Sequence, residues 1–402
     1  MMILENYTQF GGIHPETATM TNVLASQGVT APHTARPYSE AMILGIAGGI
    51  GCGYILWEFQ KYDAAILVLG FQNKWNYPME FMGNLCSRLG VQPTFLEATS
   101  PKKAGRQLEE VIADGRAAIA WVDQESLPYF HLRPMYNGCF DHLVTVYGLD
   151  ENLVHVDDRA QKPLTVDKTA FATARARIGS SKNRLLLLDG GLAPLDLATA
   201  VQAGIADCVE YLSADSQTFA IPVFRKWARL MTDSKNKKGW PVVFQQKRGL
   251  YSTLRSLHEG IKLFGVKGGG LRLLYADFLE EAAAVWGGTA VTEAAAQYRT
   301  LGHQWARFAD AVLPDQIAPL AQTRQLLTQK YAMYEQQGPD GQAEVASLSQ
   351  QLTNLETELN SHFPISDEEM MALFADMQTH LNDIYQAELA ALATLRACLQ
   401  SK

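Results

Sequence analysis

Hydrophobic and polar positions in the first half of the chain follow two different periods. From Pro15 to about Gln27, Met20, Val23 and Leu24 fall on one face at helical spacing, and Gly28 ends the run. Pro15 suits the first helical position, where its missing N–H would have no partner anyway. Glu16 follows, at the positive end of the helix dipole. Four short apolar runs read as buried strands: Ala64 to Phe71, Pro93 to Glu97, Ala117 to Val122 and Arg184 to Leu188. Two more, Asp141 to Gly148 and Leu153 to Asp158, flank Gly148-Leu149-Asp150-Glu151-Asn152, whose chemistry suits a turn, and read as a hairpin. Together they predict a mostly antiparallel sheet.

A boundary is expected at Asp189-Gly190-Gly191-Leu192-Ala193-Pro194, and beyond it the texture is nearly all helical. Leu271 to Ala282 is amphipathic. Val345, Leu348, Leu352, Leu355 and Leu359 alternate spacings of three and four, but for only about two heptads, too few for a free coiled coil. A helical hairpin turning at Gly338-Pro339-Asp340-Gly341 accounts for them. Ser366 and Glu369 form a capping box, with Ile365 and Met370 placed to staple across it. The expected architecture is an α+β domain over residues 1–190 and an all-helical domain over 191–402.

Composition narrows the function. A formal net charge of −8 argues against a general nucleic-acid or anionic-membrane surface, either of which favours basic clusters. Cys52, Cys86, Cys139, Cys208 and Cys398 are scattered and include no Cys-x-x-Cys pair, so neither a disulfide framework nor a zinc site is expected. The N-terminus lacks a basic region followed by an apolar run, and no apolar stretch approaches the roughly 20 residues of a membrane span. A soluble, cytoplasmic protein is the expectation.

The chemistry centres on the hairpin. His142 heads one strand, and Asp158 would lie near it if the strands pair. A catalytic base needs such a third group to fix its tautomer. Side chains alternate along a strand, so Asp157 points to the other face and Asp158 is the preferred partner. The plain alternative for His142 is a structural histidine, and His155, inside the second strand, reads as structural. A thiolate would be stabilised at a helix N-terminus, and the helix opening at Pro15 supplies that location. Gln9 lies upstream, where its amide could donate to an oxyanion or simply sit exposed. The remaining histidines show no ligand spacing, so no metal is expected.

Gln9, the segment His14-Pro15-Glu16-Thr17 opening a helix, the glycine-rich Gly45-Ile46-Ala47-Gly48-Gly49-Ile50-Gly51, and the strands carrying His142 and Asp158 resemble the butirosin-biosynthesis protein H family. The N-terminal domain of that family is similar to papain-like, bacteriocin-processing cysteine peptidases. Leu273 to Ala282 resembles the helical domain of unknown function that follows it. The resemblance implies a papain-like fold and an acyltransferase that moves an acyl group from a carrier-protein thioester, through a cysteine, to an amine. It implies His142 as base, Asp158 as orienting acid and Gln9 as oxyanion donor. The family pattern has cysteine after the histidine, but Pro15 follows His14 here, which excludes covalent thioester chemistry at that position.

Three substitutes are conceivable: Cys52 in the glycine-rich loop, Thr17 one step into the helix, or His142 acting directly on a bound amine or water. The last needs no missing residue and is preferred; His14 is a candidate second proton-transfer group, or a helix cap. Gly49-Ile50-Gly51-Cys52-Gly53 lacks dinucleotide-loop spacing, so close backbone packing is expected and no cofactor. Tyr54, Trp57 and Phe59 would then wall a core or a cleft.

Three functions stay open: an acyl- or amide-handling enzyme of specialised metabolism, a catalytically silent relative (a pseudoenzyme) that binds a small molecule or carrier protein, and, weakest, a peptidase. The expected partners are a small amine or acyl substrate and an acyl carrier protein, with a homodimer through the C-terminal hairpin as a further hypothesis.

Overall fold

The computed structural model describes residues 2–62, 64–189 and 196–400. The first strands are β1 (Met2–Ile3), β2 (Thr30–Ala31), β3 (Arg36–Pro37), β4 (Tyr54–Phe59) and β5 (Ala64–Leu69). They are followed by β6 (Gln92–Leu96), β7 (Ala118–Asp123), β8 (Asp141–Leu149), β9 (Leu153–Asp157), β10 (Leu164–Asp167) and β11 (Leu185–Asp189). Among these strands run helices α1 (Pro15–Ser26), α2 (Glu40–Ala47), α3 (Pro78–Leu89), α4 (Pro101–Ala113) and α5 (Lys168–Arg177). Then come α6 (Leu197–Ser213), α7 (Pro222–Thr232), α8 (Trp240–Val243), α9 (Leu250–His258) and α10 (Arg272–Trp286). The last are α11 (Thr289–Val312), α12 (Ala318–Gln337), α13 (Gln342–Ser361) and α14 (Asp367–Gln400). The protein is α+β: an antiparallel sheet in the N-terminal region, and helices without strands in the described residues after it.

The chain forms two compact units, each discontinuous in sequence. The first takes Met1–Ile43, Leu85–Leu195 and Gln329–Ser349; the second takes Leu44–Asn84, Asp196–Thr328 and Gln350–Lys402. The change from sheet to helix near residue 190 and the limits of the compact units are therefore different boundaries. Gly190 to Pro194, part of the expected linker, lie outside the described residues.

In the first unit the sheet runs β10-β9-β8-β7-β11-β6, with β1 added beside the far end of β8, and every pairing is antiparallel. The expected hairpin is β8 and β9. Helix α1 starts at Pro15, buries Met20, Val23 and Leu24, and packs against β7 and β8. Gly28 follows at φ +73°, a left-handed conformation that a residue without Cβ adopts cheaply.

The expected strand at Ala64 to Phe71 does not join this sheet. It pairs with Tyr54–Phe59 as a separate two-stranded ribbon, β4-β5, in the second unit. An apolar run announces burial but not its partner, and here the partner is the strand immediately before it. The glycine-rich segment also packs in this unit. A Cβ on Gly45 would fall 2.1 Å from the ring of Phe278, so the glycine lets helix and ring meet closely.

Trp227, Trp305, Phe224 and Phe308 form a buried aromatic cluster among α7 and α11, against which α14 lies. The helical hairpin turns at Gly338–Gly341, and Val345, Leu348, Leu352 and Leu359 are buried. At α14 the capping box is reciprocal: Glu369 N–H donates to Ser366 Oγ (3.1 Å) and Ser366 N–H to Glu369 Oε2 (2.7 Å).

Candidate active site

His142 is the second residue of β8, and Asp158 follows the last residue of β9. The imidazole Nε2 lies 2.9 and 2.8 Å from Oδ1 and Oδ2 of Asp158. An ionised carboxylate only accepts, so this contact assigns the proton to Nε2 and leaves the lone pair of a neutral ring on Nδ1. Asp157 turns the other way and accepts from the Tyr7 hydroxyl and from Asn22 Nδ2, both at 2.7 Å. Alternation along the strand thus separates two adjacent carboxyls into different environments.

Asp158 is held by more than the imidazole. Tyr129 donates its hydroxyl to Oδ2 at 2.8 Å, and Arg159 Nε donates to Oδ1 at 3.2 Å. Tyr334, on α12, donates to the Asp158 backbone carbonyl. Burial alone would push the carboxyl up. The attraction of a protonated His142 and of the Arg159 guanidinium, with hydrogen bonds from His142 and Tyr129, outweighs it and holds Asp158 below the usual carboxylate range. Arg159 has φ +63°, a left-handed conformation that costs a residue with a Cβ on the order of 1–2 kcal/mol. That backbone reversal lets neighbouring side chains 158 and 159 meet.

The leading end of α1 supplies a second histidine–carboxylate pair. His14 is the residue before Pro15; its side chain does not cap the helix, and its Nε2 lies 3.0 Å from Glu16 Oε2. Glu40 fixes this entry by accepting from the backbone N–H groups of Ile13 (2.8 Å) and His14 (2.7 Å) and from Thr17 Oγ1 (2.7 Å). Burial raises the Glu16 carboxyl, but the charge and hydrogen bond of His14, its own backbone N–H and the charge of His142 bring it below its ordinary value. The first turn of α1 is therefore in electrostatic reach of the His142 imidazole.

The other candidates separate. Gln9 is half-buried on the irregular segment before α1, with no side-chain hydrogen bond among the described residues. The Thr17 hydroxyl is committed to Glu40. Cys52 belongs to the second unit, where burial pushes its thiol well up despite Arg272 Nη2 at 3.5 Å, so it is no thiolate at neutral pH. His155 Nε2 contacts Asp150 at 3.1 Å, a structural pairing at the turn. No group of three or more His, Cys, Asp or Glu among the described residues is arranged to hold a metal ion. Nor is any described helix long and apolar enough to cross a membrane.

The imidazole is closed in. His142 is 2% exposed, and the Phe130 ring meets it edge-on at 5.4 Å and 83°. Tyr334 stacks on Tyr129 at 5.9 Å and tilts against Phe130 at 5.0 Å. These aromatic side chains, with Tyr331 and Val345, line a dimple of about 10 Å³, space for one water-sized group. Tyr129, Phe130, Arg159, Tyr334 and Glu16 were not candidates from sequence. Arg159 could be suspected as the neighbour of Asp158; Tyr334 has no local signal, since its contact partner lies 176 positions away.

Residues 14–159 match the family model of the N-terminal domain of butirosin biosynthesis protein H, and residues 169–329 match a domain of unknown function, DUF4872. The chain belongs to the butirosin biosynthesis protein H-like family. No curated protein matches it. Membership implies at most a biosynthesis-related, acyltransferase-like role and shows no specific mechanism. The first family match opens on His14 and closes on Arg159, so it encloses both histidine–carboxylate pairs. Gln9 and Tyr334 lie outside both matches.

Proposed function

We propose that the protein handles acyl or amide groups in specialised metabolism, with His142 as general base, Asp158 as its orienting acid and no covalent enzyme intermediate. The supporting observation is the contact of Nε2 with both oxygens of an ionised carboxylate that Tyr129 and Arg159 also hold, the arrangement by which an acid orients a catalytic imidazole. In the proposed step Nδ1 takes the proton of an amine as its nitrogen attacks an acyl thioester. The carbon–nitrogen bond forms, the carbon–sulfur bond breaks, and the proton passes to the departing thiolate. Water in place of the amine gives hydrolysis. The donor is an acyl carrier protein or a small thioester, and the acceptor is a small amine. His14, paired with Glu16, is the second proton-transfer candidate, and Gln9 keeps the weaker role of oxyanion donor.

One observation favours a second reading. An imidazole 2% exposed under Phe130, beside a helix opening with Pro15, suits a silent relative that binds a small molecule or a carrier protein. Turnover of an acyl N-acetylcysteamine thioester with an amine acceptor separates the two. His142→Gln should abolish turnover with substrate affinity and Tm nearly unchanged. An unaltered rate in that variant would refute the base assignment; a wild-type protein that binds thioester without consuming it would establish the silent relative. Pro15→Cys adds a geometric test: if the helix end faces the base, the new thiol should alkylate with iodoacetamide at neutral pH at least tenfold faster than the partly exposed Cys139.

A further inference from the structure

A cavity unrelated to the histidine–carboxylate pairs lies in the first unit, between α4 and α5 at the far end of the hairpin. It has a volume of about 140 Å³ and is partly open to solvent, room for a ligand of a few heavy atoms rather than a large one. Its wall is apolar: Ala104 and Leu108 from α4, Leu149 from β8, Val154 from β9 and Phe171 from α5. Leu149 is seven residues beyond His142 on β8, roughly 23 Å at about 3.3 Å per residue, so the cavity is no part of the candidate active site.

One wall residue is out of keeping with that lining. Arg175, in the last turn of α5, is 3% exposed. Its Nη1 donates to the Ala104 carbonyl at 3.1 Å and its Nη2 to the Asn183 carbonyl at 2.6 Å, whereas Nε has no acceptor. No carboxylate pairs with it among the described ion pairs. Burial without a counter-charge pushes the guanidinium down to about 10, which still leaves it charged at neutral pH. Buried charges are ordinarily paired, because an unpaired one loses its hydration with nothing in return. Lys168 adds a second positive group to the lining, while the one carboxylate there, Glu109, is exposed and does not contribute to the Arg175 shift. A phosphate would call for several converging donors, which an apolar wall does not supply.

We propose that this cavity binds a small carboxylic acid with an apolar body, its hydrocarbon lying between α4 and α5 and its carboxylate supplying the counter-charge that Arg175 lacks.

Gly105 makes the proposal testable without disturbing the arginine. It lines the cavity from inside α4, and a Cβ there would meet nothing within 4 Å. Gly105→Leu therefore fills the space and replaces a poor helix former by a good one. Calorimetric titration with hexanoate, 1-hexanol and inorganic phosphate is the experiment. Saturable hexanoate binding at least tenfold tighter than hexanol, and absent in Gly105→Leu at an unchanged or higher Tm, is the expected result. Arg175→Met should reduce hexanoate to the hexanol level; if that variant does not fold, the hexanol comparison and Gly105→Leu decide. Absence of hexanoate binding, equal binding of hexanol, phosphate binding as tight as hexanoate, or full affinity in Gly105→Leu would each overturn the proposal.

Discussion

Asp157 and Asp158 are adjacent carboxyls with opposite electrostatic fates. Asp158 faces His142 and Arg159 and is held ionised, whereas burial pushes Asp157 up to about 7 even though Tyr7 and Asn22 donate to it. Between roughly pH 4, where the unfolded aspartate titrates, and pH 7, the folded state holds a proton that the unfolded chain has lost. This group therefore supports the fold most below about pH 4, and its contribution falls as pH rises toward 7. Three pKa units set an upper limit of about 4 kcal/mol on the loss. Asp157→Asn, which keeps an acceptor oxygen for Tyr7 and Asn22, should remove that slope: its Tm gain over wild type should be larger at pH 8 than at pH 5. Parallel Tm curves for the two proteins would show that Asp157 does not titrate in this window. Asp158 was legible as the partner of His142 because side-chain alternation is a local rule. The ionisation of its neighbour was not, because that depends on what the rest of the chain stacks over each face.

Elements meet through contacts of unequal worth. Among the polar contacts by which the α12–α13 hairpin reaches the segment after β9, two differ sharply in burial. Tyr334 donates to the Asp158 carbonyl in a buried setting, and Lys162 pairs with Asp340 at 2.8 Å in an exposed one. Burial decides their value. Tyr334→Phe leaves a buried carbonyl without its donor and should cost about 1–3 kcal/mol. Asp340→Ala breaks an ion pair already solvated and screened, and should cost under about 1 kcal/mol. Urea midpoints of the two variants check the ranking, and equal midpoints would contradict it. The same hairpin shows the limit of element-level reading. The three-and-four spacing and the Gly338-Pro339-Asp340-Gly341 turn are written in the sequence, so the helices and their reversal could be read there. The docking of Tyr334 on Asp158 could not, because nothing local encodes a partner 176 positions away.

At the scale of the whole molecule, interleaved segments are held by groups distant in sequence. In the second unit Arg272 and Glu388, neither of them exposed, pair at 2.8 Å. The guanidinium also donates to the carbonyls of Gly270 and Gly51, both at 2.9 Å, and Trp305 Nε1 donates to Glu388 at 3.1 Å. Residues of the glycine-rich loop, α10, α11 and α14 thus converge on one pair of charges. Glu388→Ala strands the arginine in an apolar interior and should cost about 3–5 kcal/mol, read as a lowered guanidinium midpoint. A midpoint within about 1 kcal/mol of wild type would mean that water reaches the site. The sequence by itself determined the local features: α1 opening at Pro15, the β8–β9 hairpin with His142 and Asp158 on one side, and the capped last helix. Each depends on residues a few positions apart, where backbone sterics and side-chain periodicity act directly. Only the tertiary structure decided that Ala64–Leu69 leaves the main sheet, that residues 329–349 fold with it, and that aromatic rings close over the imidazole. Those outcomes are set by which distant surfaces bury one another, and hydrophobic burial carries no address in the sequence.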